Sequence, residues 1–243
     1  MPRLIVGMTG ATGAPIGVRL LEALRELPQV ETHLVMSKWA RTTIALETPY
    51  TARQVAKLAD VVHQPGNQAA AISSGSFRTD GMVIAPCSMK TVAGIRAGYA
   101  DGLIGRAADV VLKERRPLVL VPRETPLSEI HLENLLVLAR MGVRIVPPMP
   151  AFYNHPASVD DIVDHIVGRV LDQFALPAPK LRRWTGTERP GLARAGRPSM
   201  GWKTPERQAR RAFPCQPHTR PVRADYAGAP LDRLQPASEV RTV

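Results

Sequence analysis

SSGSFRTDGMVIAPCSMKTVAG, residues 73–94, decides the fold. Within it Met82-Val83-Ile84-Ala85 is an uninterrupted, β-branched run of the kind buried on both faces of a parallel sheet. The run stops at Pro86-Cys87-Ser88-Met89-Lys90-Thr91, and the small residues that follow open a helix. Ser88 to Thr91 would therefore offer backbone N–H groups and hydroxyls at a helix N-terminus, a setting that suits an anion such as phosphate.

Outward from this stretch, strand and helix alternate. Strands are expected at Arg3–Met8, Val30–Met36, Gly81–Ala85, Pro117–Val121 and Val143–Val146. Helices are expected from Pro15 to about Leu27, over Lys38–Glu47, Thr51–Asp60 and Ser128–Met141, and after Ser88, with a break near Gly98 and a restart near Asp101. Ser158 and Asp161 form a capping-box pair opening a last helix, whose apolar positions Ile162, Val163, Ile166, Val167, Val170, Leu171 and Phe174 follow a 3.6 period. His63–Ser76 is polar and without a period. This order implies an α/β fold, a mostly parallel sheet between two helical layers. Thr9–Gly13, Ser37, Pro86–Thr91, Pro122–Pro126 and Pro147–Tyr153 all follow strands, so they converge on the carboxyl edge, where open α/β sheets bind ligands.

With 243 residues, 44% of them hydrophobic, the chain has enough for one such domain and something left over. The 23 prolines are unevenly placed. From about Thr187 to residue 243 Pro, Arg and Gly recur without apolar period, and this tail is expected to be disordered. It carries 11 Lys/Arg against 5 Asp/Glu, while residues 1–186 carry 21 against 16, so about half of the formal charge of +11 lies in the tail. A modestly basic body without interleaved aromatics points to a small anionic substrate rather than nucleic acid. Two cysteines and no signal or membrane-spanning segment fit a reducing, cytoplasmic setting.

Gly7-Met8-Thr9-Gly10-Ala11-Thr12-Gly13 occupies the place of a dinucleotide fingerprint, but its spacing is GxxGxxG and the second strand ends in Ser37 rather than an acid. NAD is not implied. The loop is either a phosphate cradle of Gly10, Ala11 and Thr12 or a packing turn; the hydroxyls of Thr9 and Thr12 favour the cradle. Cys87 has no partner cysteine and reads as a structural thiol, His131 as a core or interface histidine, and no metal is expected. Arg106, Lys113, Arg123, Glu124, Tyr153 and Arg169 would each pass for surface groups alone. Gathered at one sheet edge they would make a phosphate-ester site with an acid–base group beside it.

These runs, with GMTGATGAP, ETHLVMSKWA, RAADVVLKER, LVLVPRETPL, IHLENLL, PPMPAFYNHP and RVLDQF, closely resemble the UbiX-type flavin prenyltransferases, in the UbiX-like subgroup that accompanies the phenolic- and hydroxyarylic-acid decarboxylases. The resemblance covers about residues 2–186. It implies a flavodoxin-like Rossmann sandwich that assembles as a homododecamer with FMN at subunit junctions. It also implies a metal-independent prenyl transfer, in which the dimethylallyl group of dimethylallyl phosphate joins N5 and then C6 of reduced FMN. The prenylated FMN would pass to a UbiD-type decarboxylase partner.

By the same resemblance Gly10, Ala11, Thr12, Ser37, Ser88, Met89, Lys90, Thr91 and Arg123 bind flavin. Tyr153 and Arg169 bind the prenyl phosphate, with Arg106 and Lys113 as further phosphate ligands, Ser74 at the pocket edge and Trp184 closing it. Glu47 and Glu124 are implicated in proton transfer, and Thr12 and Lys113 also count among the catalytic residues. Many relatives carry Ser where this chain has Thr12, which keeps the hydroxyl. Two other readings stay open: a direct flavin-dependent decarboxylase, and a non-catalytic flavin carrier.

Overall fold

The structure, a computed structural model, describes residues 1–186. The expected tail, 187–243, lies outside the described residues. Six strands form one sheet: β1 (Arg3–Met8), β2 (Glu31–Met36), β3 (Val61–His63), β4 (Gly81–Cys87), β5 (Leu118–Pro122) and β6 (Arg144–Ile145). Their order is β3-β2-β1-β4-β5-β6, and every neighbouring pair is parallel. The order reverses between β1 and β4, which makes the carboxyl ends of these two strands the topological switch point.

Seven α-helices cover the sheet: α1 (Ala14–Arg25), α2 (Lys38–Glu47), α3 (Ala52–Ala56), α4 (Met89–Arg96), α5 (Gly102–Lys113), α6 (Glu129–Arg140) and α7 (Val159–Asp172). Alternation along the strands divides the core in two. Leu4, Val6, Val83, Ala85, Val119 and Val121 pack with α1, α2, α3 and α7, whereas Ile5, Met82, Ile84, Leu118 and Leu120 pack with α4, α5 and α6. Strands β1, β4 and β5 thus bury both faces, as their continuous apolar runs imply.

Three details depart from the expectation. The polar stretch conceals β3, a three-residue edge strand, so the strands number six rather than five. The helix expected over Thr51–Asp60 is only α3, because Lys57 N–H and Leu58 N–H turn to the carbonyls three residues back and tighten the end. Phe174 lies beyond the end of α7, yet it packs on the core from there.

Candidate functional site

At the switch point, Thr9 joins the two central strands. Its Oγ1 donates to the Pro86 carbonyl at 2.8 Å and accepts from the Ser88 N–H at 2.8 Å, and its own N–H donates to the same carbonyl at 3.1 Å. Thr9 is buried, so each of these bonds replaces water that cannot enter. Ser88 then caps α4, its hydroxyl accepting from the Thr91 N–H and sharing a bond with Thr91 Oγ1 at 3.0 Å. Ser37, directly after β2, caps α2 by accepting from the Ala40 N–H at 3.0 Å.

Between these caps lies a cleft of about 290 Å³ lined by Gly10, Ser37, Ser88, Lys90 and Thr91 among others. The structure therefore brings together five of the residues expected to bind flavin. Met89 stands beside them as the first residue of α4, and Ala11 and Thr12 continue the loop from Gly10. The first N–H groups of α2 and α4 lack intrahelical acceptors, a setting that favours negative charge. Gly10 must be glycine, because a Cβ there would stand 2.3 Å from Trp39 Cβ. That close approach leaves the loop's backbone bare.

Glu47 sits where spacing alone could not put it. Gly13, with φ 107°, caps α1 without a side chain, and the Glu47 carboxylate supplies the missing acceptor to Gly13 N–H and Ala14 N–H, both at 2.8 Å. A carboxylate already fills the N-terminus of α1, so a phosphate would have to use the loop ahead of Gly13 and the starts of α2 and α4.

Cys87 lies fully buried, and burial pushes its thiol well above the ordinary range. Such a thiol is neither a nucleophile nor a ready ligand. Among the described residues no group of three or more His, Cys, Asp and Glu is arranged to hold a metal. His131 acts locally, completing the capping box of α6 with Ser128.

The remaining expected residues make contacts of their own. Arg123 and Glu124 follow β5; Arg123 N–H reaches the Cys87 carbonyl at 3.2 Å, and Glu124 accepts from the Thr125 N–H at 3.1 Å. Tyr153 meets Trp184 and His165 edge-on, at 5.4 and 6.0 Å between centroids. One turn beyond His165, Arg169 pairs with Asp172 at 2.8 Å and shares a shallow cleft with Val146, Pro147 and Met149. Arg106 donates to the Ser73 carbonyl at 3.1 Å and to Asp109 at 2.6 Å, and Lys113 pairs with Glu114 at 2.6 Å. Ser74 bonds Ser76 at 2.9 Å in the segment beside them. Lys113 and Arg169 occupy the last turns of α5 and α7.

The cleft also contains Trp39, Tyr99 and Asp101, which the sequence reading did not single out. The signal that could have found Trp39 is its place two residues after a post-strand cap.

Residues 1–171 match the family described as Flavoprotein. The chain is 77% identical over 184 residues to a probable UbiX-like flavin prenyltransferase of Escherichia coli O157:H7, covering 76% of this chain and 93% of the relative. Among solved structures, a dodecameric FMN-dependent UbiX-like decarboxylase from Escherichia coli O157:H7 has 77% identity and TM-score 0.75, covering 76% of this chain and all of that one. AnUbiX (PadA1), in complex with FMN and dimethylallyl pyrophosphate, has 58% identity and TM-score 0.75, covering 77% and 99%. The chain belongs to the flavoprotein family, among its UbiX-like flavin prenyltransferases.

Proposed function

We propose that this chain transfers the dimethylallyl group of dimethylallyl phosphate to reduced FMN, and that the prenylated flavin passes to a UbiD-type decarboxylase. The observation that carries the reading is the convergence of Gly10, Ser37, Ser88, Lys90 and Thr91 on one cleft at the switch point. These are residues that the family resemblance assigns to flavin. The donor set fits FMN: bare backbone at Gly10, two capped helix starts, paired hydroxyls at Ser88 and Thr91, and the Lys90 ammonium for a phosphate.

FMN, when bound, supplies the ring nitrogen and carbon that accept the prenyl group. Loss of phosphate from an allylic ester leaves cation-like carbon beside a departing anion. Arg169, Arg106 and Lys113 are assigned to the anion, because fixed positive groups lower the cost of its departure. Tyr153 and Trp184, already in contact, are assigned to the apolar side, where aromatic faces stabilise the carbon and exclude water. Glu124 makes no ion pair among the described residues and is assigned the proton that leaves the flavin carbon.

The dodecameric relative supports a homo-oligomer, and Arg106 and Lys113 of one copy are assigned to complete the site of another. No helix among the described residues is long and apolar enough to cross a membrane, and a cytoplasmic setting would keep the flavin reduced.

Arg169→Ala tests the division of roles. The variant should keep FMN affinity within about twofold and lose about 100-fold in transfer rate. Loss of FMN with prenyl-phosphate binding intact would contradict the map.

A further inference from the structure

Two large aromatic side chains stand exposed at the mouth of the same cleft. Trp39, the second residue of α2, is 69% exposed, and Tyr99, in the turn between α4 and α5, is 67% exposed. Neither ring packs on another aromatic among the described residues, and the Tyr99 hydroxyl has no hydrogen-bond partner among them. Their backbones, by contrast, are fixed. Trp39 presses its Cβ over Gly10 and gives its carbonyl to Thr43 Oγ1 at 2.9 Å, while the Tyr99 N–H reaches the Gly94 carbonyl at 2.8 Å. Rigid supports under two solvated rings form a preorganised surface, since little freedom remains to be lost when a flat ligand arrives.

Asp101 adds a polar group to the same cleft. It stands at the N-cap of α5, a position where aspartate usually accepts from the helix, yet its side chain makes no capping bond there. An uncommitted carboxylate and the Ser88 and Thr91 hydroxyls are suited to the rim of a polar, planar ring and to its hydroxylated chain.

We propose that Trp39 and Tyr99 are aromatic walls on one side of the isoalloxazine ring of FMN, leaving the other face to the prenyl donor, an assignment resting on the flavin reading above. The electron-rich indole and phenol stack offset on the electron-poor oxidised ring. Trp39 thereby couples ring binding to the Gly10 loop against which it leans.

The test follows emission from oxidised FMN titrated into the full-length chain and into Trp39→Phe, Trp39→Leu, Tyr99→Phe and Tyr99→Leu. Both sites are exposed, so the variants should fold. Indole and phenol quench excited flavin at contact by donating an electron, whereas a benzene ring does so poorly. Wild type should quench bound FMN strongly. The Phe variants should keep Kd within about twofold but emit more brightly, and the Leu variants should also weaken Kd about fivefold. If wild type binds and quenches FMN and all four variants match it in Kd and emission, the walls are wrongly assigned while the flavin reading stands. Variants that lose only their oligomeric state, with quenching intact, would likewise overturn the assignment in favour of a contact between copies. A wild-type chain that takes up no FMN would overturn both.

Discussion

Thr9 Oγ1 accepts the Ser88 N–H at 2.8 Å while giving its own proton to the Pro86 carbonyl, so one buried hydroxyl ties the end of β1 to the start of α4. Thr9→Val preserves the shape and removes both bonds, leaving Ser88 N–H without its partner. A buried unpaired donor costs about 1–3 kcal/mol. Thr9→Val should therefore melt measurably lower than wild type and bind FMN more weakly, with Thr9→Ser in between. Denaturant unfolding and flavin titration check this; a Thr9→Val protein matching wild type in both would remove the clamp from the account.

Glu47 is joined to Gly13 N–H and Ala14 N–H, and also carries an expected role in proton transfer. The two roles separate by substitution. Glu47→Ala should lose about 1 kcal/mol of stability through the uncapped helix. Glu47→Gln keeps an acceptor for both N–H groups and should fold and bind FMN like wild type while transferring the prenyl group more slowly. Full-rate transfer by Glu47→Gln, measured in single turnover, would reduce Glu47 to a cap.

The sheet edge contains a histidine pair unrelated to the cleft. His33 Nδ1 and His63 Nε2 stand 2.9 Å apart with the rings stacked, and His33 Nε2 reaches Glu31, itself paired with Arg3. Burial first, and then the charge of His33, hold His63 below the ordinary 6.5. His165 is also held down, by burial first and then by Arg169, against the opposing pull of Asp172. For both groups the unfolded chain takes the proton first as pH falls, so stability is complete above about 6.5 and declines below it. Arg183 first of all, with help from Arg169, depresses Asp172, whose contribution is lost only below its ordinary 3.8. Melting temperature should thus fall between pH 7.5 and 5.5, and His63→Gln should flatten that slope. A slope unchanged by His63→Gln would assign it elsewhere.

Much of this architecture was readable in the chain. The runs Met82–Ala85 and Leu118–Val121 are apolar throughout because both faces are buried, and that pattern alone predicts a parallel sheet with its loops at one edge. The cap at Ser158 was equally visible, since capping is local chemistry, and the structure adds caps of the same kind at Ser37, Ser88 and Ser128. β3 was hidden because three residues at a sheet edge carry no alternation to detect. Contacts across long separations were hidden as well. Nothing near Glu47 announces its bonds to a loop 34 residues earlier, and nothing near His33 announces His63. The loops that carry the residues expected to bind flavin follow strands and were legible as a group, whereas the flavin itself came from the family resemblance.

Prenyl transfer to flavin is the central claim, and mass measurement of the flavin tests it most directly. The purified full-length chain is incubated without oxygen with reduced FMN and dimethylallyl phosphate, and the extracted flavin is weighed. The account expects a flavin heavier by one dimethylallyl unit, formed without added metal. An unmodified flavin, together with decarboxylation of a phenolic acid by this chain alone, would contradict it.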